Sequence, residues 1–165
     1  MTVTATQLPP ALADAVTDQP SAAAALAAAL AAPSHAYLFS GPAGAGKSAA
    51  ARAFVAELLA EGAPDPASAR SRASADPSPH PDLAWLRPPG AQHLVDEVRE
   101  RVIEAAPYRP FEGERRAFVI ERADAMAEES QNALLKTLEE PPHYAHIVLI
   151  TSEPGSLLET VRSRL

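Results

Sequence analysis

Four short runs along the chain are apolar at nearly every position: Ala36-Tyr37-Leu38-Phe39, Leu83-Ala84-Trp85-Leu86, Ala117-Phe118-Val119-Ile120 and Ile147-Val148-Leu149-Ile150. Runs of this length, bounded by polar or breaking residues, predict strands covered on both faces, over 36–40, 83–86, 117–120 and 146–151. Between them the apolar spacing changes to three and four. Phe54, Leu58 and Leu59 share a face of a helix predicted over 49–61, with Gly62 as its stop. Leu94, Val95, Val98, Val102 and Ala105 share a face over 92–106, where Glu97 precedes Arg101 by four. "EESQNALLKTLEEPP" predicts a helix over 128–142 ended by Pro141-Pro142, and "LLETVRSRL" predicts another at the chain's end. Strands alternating with helices give an α/β class, with a parallel sheet flanked by helices.

Two segments fit this alternation less well. Residues 1–33 form an N-terminal segment whose first twenty residues are polar and broken by proline. After them, Ser21 is placed to cap an alanine-rich helix over 22–32, with Leu26 and Leu30 its only large apolar side chains. Residues 62–82, "GAPDPASARSRASADPSPHPD", show no period and predict a loop inside the 34–165 domain. Loops this long in compact domains are uncommon and usually have a function or lack order.

Composition narrows the class. The chain of 165 residues suits one domain, and at this size roughly 70% of the unfolded surface can be buried without staples. It has no cysteine, which excludes disulfides, thiolate zinc sites and cysteine nucleophiles. The net charge of −7 argues against a broad nucleic-acid surface of its own. The N-terminus lacks a basic start and an apolar stretch, and no run of 18 apolar residues occurs, so a soluble cytoplasmic protein is expected.

The chemistry begins directly after the first strand. "GPAGAGKS" matches G-x-x-x-x-G-K-[ST] over Gly41, Pro42, Ala43, Gly44, Ala45, Gly46, Lys47 and Ser48. Glycines let backbone N–H groups wrap a phosphate, and the following helix points its positive end there. Lys47 is then expected to neutralise the outer phosphates of ATP, and Ser48 to ligate Mg²⁺. The strand before and the amphipathic helix after the motif supply the context it needs.

Glu121, directly after the 117–120 strand, is the candidate second Mg²⁺ ligand. The next residue is Arg122, a cation that cannot accept a proton where a hydrolase wants a second acid. Asp124, three positions beyond Glu121, takes that role only if the backbone turns it inward; otherwise ATP is bound and cleaved slowly or not at all, which is the expectation.

The stretches "SHAYLFSGPAGAGKS", "RAFVIERADAM" and "SQNALLKTLEEPPHYAHIVLITSEPGSLLETVRSRL" resemble the AAA+ clamp-loader subunits of bacterial DNA polymerase III. The likeness runs from about residue 34 to the end, apart from 62–82, and "NALLKTLEEPP" is its most specific piece. It is strongest to the delta-prime type, with the tau/gamma motor type as close relative. It implies a P-loop ATPase core that helps place the sliding clamp on primed DNA in replication. The implied partners are the tau/gamma and delta subunits and the clamp, with DNA reached through the assembly. It also implies that Gln19 lies near the adenine, that Thr151 senses the γ-phosphate, and that Arg164 of "SRL" acts as an arginine finger in a neighbour's site.

The chain departs from the family pattern in three places. The 62–82 loop stands where members carry a four-cysteine zinc module, so no zinc is expected. Leu165 stands in place of a cysteine. The family's helical lid and collar are missing, so a fragment or truncated product is expected. The rival readings are a hydrolysing tau/gamma-type motor, with Asp124 aligning water, and a P-loop phosphotransferase acting on a small molecule. His35, His80, His93, His143 and His146 show no metal spacing and are read as surface or packing residues, Trp85 as a core residue, and Glu139-Glu140 as a solvated helix end.

Overall fold

The computed structural model describes residues 8–165; the first seven residues of the 1–33 segment lie outside these. Strands β1 (Ala36–Ser40), β2 (Leu83–Leu86), β3 (Arg116–Ile120) and β4 (Ala145–Thr151) form one sheet in the order β1-β4-β3-β2, all neighbours parallel. The four apolar runs therefore become strands within a residue of where their pattern put them. The helices are α1 (Pro10–Ala15), α2 (Pro20–Ala31), α3 (Lys47–Ala60), α4 (Pro66–Ser74), α5 (Val95–Val98), α6 (Glu128–Glu139) and α7 (Glu159–Arg162).

Residues two apart on a strand share a face. Ala117, Val119, Val148 and Ile150 turn to one side and pack with Phe54, Val55, Leu58 and Leu59 of α3. Phe118, Ile120, Ile147 and Leu149 turn to the other and pack with Val98, Val102, Leu134 and Leu138. Covering both faces explains why the strands read as continuous apolar runs. Phe54 is fully buried, its ring 4.9 Å from that of Tyr37 and 5.9 Å from that of Phe39. Truncating such a residue to alanine costs about 3–5 kcal/mol. After β1 the chain crosses to the far edge and returns strand by strand, so the direction of winding reverses beside β1. Parallel sheets open a crevice at that point, outside the carboxyl ends of the strands.

Four expectations are corrected. The 62–82 segment is not a loop throughout: α4 begins at Pro66, with Asp65 accepting the Ser68 N–H at 3.1 Å as its cap. Its buried residues are Ala69 and Ala73, four apart and too small to register as an apolar stripe, and Arg70 pairs with Glu57 of α3 at 2.7 Å. Ser21 does not cap α2, because the helix starts at Pro20, whose fixed φ suits a first turn; Gln19 holds the cap position. The helix predicted over 92–106 starts at Val95 and widens into a π-helix at Arg99–Ile103, closed by Glu104 N–H donating to the Arg99 carbonyl at 2.8 Å. Leu94 is left 57% exposed, while Ala106 is buried. The terminal helix is only the short α7, preceded by a 3₁₀ turn at Pro154–Ser156.

Candidate functional site

The loop joining β1 to α3 turns through Gly44 and Gly46, whose φ values of +81° and +84° are strained for any residue with a Cβ. Gly46 occupies the cap position of α3, so the free N–H groups of that helix face the loop. The Lys47 ammonium donates to the carbonyls of Gly41 and Pro42, both at 2.8 Å, and to Ser152 Oγ at 3.1 Å. Its three donors are thus gathered over the loop's rim. Gln19 reaches the same loop from the other direction, Nε2 donating to the Ala45 carbonyl at 2.9 Å. It also borders a cavity of about 560 Å³ between α1, α2 and β1, walled by Val16, Leu26, Tyr37 and Phe39 among others. A mostly apolar chamber with a polar group at its mouth suits a flat aromatic base.

On the opposite flank, the end of β3 carries Glu121. The Ser48 hydroxyl donates to its Oε1 at 2.7 Å, and the Trp85 indole and Arg87 Nε donate to its Oε2, each at 2.7 Å. Burial pushes the Glu121 carboxyl up, but the bonds from Trp85, Ser48 and Arg87 outweigh it and hold the group below the usual carboxylate value. It is therefore an anion at neutral pH. Ser48 and Glu121 offer two hard oxygens close together, which fits Mg²⁺, a cation commonly held by one or two carboxylates together with phosphate oxygens. Among the described residues no group of three or more His, Cys, Asp or Glu could enclose a metal. A cation here would accordingly be shared with nucleotide phosphates.

Arg122, with φ +51° and ψ +57°, turns the chain sharply into a 3₁₀ turn at Ala123–Ala125. His93 pins both ends of that turn: its N–H donates to the Ala125 carbonyl at 3.0 Å, and its ring Nε2 lies 2.7 Å from the Glu121 carbonyl. A carbonyl only accepts, so Nε2 carries the proton. The turn brings Asp124 to the end of β4, where its Oδ1 accepts the Thr151 hydroxyl at 2.6 Å. Thr151 Oγ1 also accepts the Glu153 N–H at 2.9 Å. Thr151 is thus engaged with Asp124, and the residue beside the Lys47 ammonium is Ser152. Arg164 lies elsewhere, following α7 and paired with Glu139 at 2.9 Å, both side chains nearly half exposed. Glu139 is therefore an ion-pair partner as well as a helix end.

Of the residues predicted from the sequence, the loop, Lys47, Ser48 and Glu121 converge, Asp124 and Thr151 pair beside them, and Arg164 stands apart. Trp85, Arg87, His93 and Ser152 carry site contacts that the pattern did not single out. The register shows why: Leu86 lies opposite Ile120, so the residues after them, Arg87 and Glu121, come side by side once β2 and β3 are neighbours.

A phosphate loop after the first strand of a doubly covered parallel sheet, with a hydroxyl and a strand-end carboxylate beside it, defines a P-loop nucleotide-binding domain of the AAA+ type. Residues 19–165 match the family described as DNA polymerase III, delta subunit, and the chain belongs to this clamp-loader family. It is 39% identical over 139 residues to the DNA polymerase III subunit delta′ of Pseudomonas aeruginosa, covering 79% of this chain and 41% of that protein. It is 36% identical over 134 residues to the subunit gamma/tau of Mycobacterium tuberculosis, covering 79% of this chain and 23% of that one. A gamma subunit-related protein of Thermotoga maritima superposes with a TM-score of 0.54 at 25% identity, over 78% of this chain and 38% of that structure. The chain thus spans well under half the length of these relatives. Among the described residues no helix is long and apolar enough to cross a membrane.

Proposed function

We propose that the chain is the ATP-binding part of a delta′-like clamp-loader subunit that holds Mg·ATP, hydrolyses it slowly or not at all, and lends an arginine to a neighbouring subunit. Gly41 to Ser48 would wrap the phosphates, with Lys47 giving up its carbonyl contacts to face them, and the base would enter the chamber beside Gln19. Ser48 and Glu121 would hold the Mg²⁺, which supplies charge neutralisation of the phosphates when bound. The observation that carries slow hydrolysis is Arg122, a cation directly after Glu121 on the turn where a second acid is needed.

Arg164 supports the trans role by position: it is exposed, and its bond to Glu139 is of a kind worth at most about 1 kcal/mol, so a neighbour's phosphates can draw it away. The partners in this reading are motor and delta subunits and the sliding clamp, with primed DNA reached through the assembly, in the cytoplasm. The test is to combine the chain with a motor subunit and follow the ATPase of the mixture. Arg164→Ala is expected to lower that ATPase by about tenfold or more, given that such fingers contribute roughly 10³–10⁵ in related hydrolases. An unchanged rate removes the finger role.

One observation favours a second reading. The Thr151–Asp124 bond sets an acid at the carboxyl ends of β3 and β4, where a water-aligning group would belong. Many turnovers per minute by the isolated chain, lost in Asp124→Asn, would make it a motor-type ATPase.

A further inference from the structure

Arg87 leaves β2 beside the end of β3, and its guanidinium is divided between two carboxylates. Nε donates to Glu121 Oε2 at 2.7 Å, while Nη1 and Nη2 fork onto Asp76 Oδ1 and Oδ2 at 3.0 and 2.8 Å. Asp76 belongs to the segment after α4, which is itself clamped. Arg52 donates to the Ala75 carbonyl at 2.7 Å, comes within 3.6 Å of Asp76, and lies 4.0 Å from the ring centre of Trp85. One arginine therefore ties the candidate metal-side carboxylate to the 62–82 segment.

A divalent cation arriving at Ser48 and Glu121 meets a positive charge already seated on the same carboxylate. The two cations repel, and both draw on the lone pairs of Glu121, whose Oε2 also accepts the Trp85 indole. Asp76 offers Arg87 an alternative, since two of its three bonded nitrogens are already there. The Arg87 side chain is 49% exposed, so it can shift toward Asp76 without disturbing the core.

We propose that Arg87 is a positioning residue that competes with the divalent cation for Glu121, so that the Arg87–Asp76 latch sets how much Mg²⁺ adds to nucleotide affinity. The proposal rests on the nucleotide-binding reading above. Its consequence is a low dependence on Mg²⁺: the arginine stands in for part of the metal's charge when Mg²⁺ is scarce and opposes the metal when it is plentiful.

The experiment measures, by calorimetry on the whole chain, the affinity for a slowly hydrolysed ATP analogue in Mg²⁺ and in EDTA. Its readout is the dissociation constant in EDTA divided by that in Mg²⁺. Arg87→Gln is expected to raise that ratio about tenfold, the scale of one close charge contact near a surface. Arg70→Gln, which removes an arginine paired with Glu57 on α3, is expected to leave it unchanged. Equal ratios in wild type and Arg87→Gln overturn the proposal while leaving nucleotide binding intact, as does an equal rise in Arg70→Gln. Failure of the wild type to bind in either buffer overturns the nucleotide reading and this proposal together.

Discussion

The two flanks of the phosphate loop are built from different materials. On the Gln19 side the walls are apolar, and one neutral hydrogen bond joins α2's cap position to the loop. On the Glu121 side the contacts are a mesh of charged and polar groups: Ser48, Trp85, Arg87, Asp76, Asp124 and Thr151. The first flank can hold a base by shape and apolar contact, with little sensitivity to charge. The second concentrates charges, and in the proposed reading their balance sets whether a bound phosphate is merely gripped or also cleaved. In that reading, binding and hydrolysis fall to different flanks, and substitutions on either side should separate them.

The largest expected effect comes from the strand beneath both flanks. His146, at the start of β4, is buried between the Ser34 carbonyl, 2.6 Å from Nδ1, and Arg115, 3.0 Å from Nε2. Burial lowers it to about 4; the bond to Ser34 pulls the other way, and the charges of Arg115 and His35 add to the lowering. The unfolded chain takes up that proton near the ordinary 6.5, so it binds more protons than the native state between the two values. Stability from this residue is full above about pH 6.5 and is lost as the pH falls toward 4. At most this is roughly 3 kcal/mol, and both flanks should fail together. Urea unfolding followed against pH should show the slope, and His146→Leu should reduce it. His80, also buried and also lowered, adds a slope of the same sign.

Next in size, Lys47→Ala should weaken nucleotide binding by about 100-fold or more in calorimetry, because charged hydrogen bonds are worth about 1.5–3 kcal/mol each. Unchanged affinity would mean that the loop between the flanks grips no phosphate. Asp124→Asn sharpens the contrast on the polar side. Affinity and any basal turnover should each move by less than about threefold, whereas a fall in turnover of about 100-fold would assign Asp124 as a base. The smallest effect belongs to the apolar side: Gln19→Ala removes one neutral bond that steadies the loop, worth about 1 kcal/mol, so affinity should fall by no more than roughly fivefold with no change in turnover.

How far the sequence disclosed this arrangement follows the same division. Strands were legible because each is covered on both faces and so is apolar throughout. Lys47 and Ser48 were legible because a phosphate loop is local, its residues fixed in spacing by one turn of chain. Glu121 was legible because it ends a strand. Arg87, Trp85 and His93 were not, because their partner lies 28 to 36 positions away and the contact exists only once β2 is paired to β3. Helix α4 escaped notice for a different reason. Its buried side chains are alanines, and its start signal, Asp65-Pro66, lies in a stretch already crowded with turn residues. The π-helix was hidden too, since an inserted fifth-neighbour bond leaves the apolar spacing of Val98 and Val102 intact.

Trp85 is the chain's single tryptophan, and its ring is bracketed by the Arg52 guanidinium on one face and by Glu121 at the indole N–H. Emission from an indole shifts with the charges around it, so the ultraviolet fluorescence of the unlabelled protein is expected to respond to Glu121 and the arginines beside the ring. A ligand that rearranges the ions at the end of β3 should therefore be detectable as a shift in emission wavelength, without a dye or a second reagent.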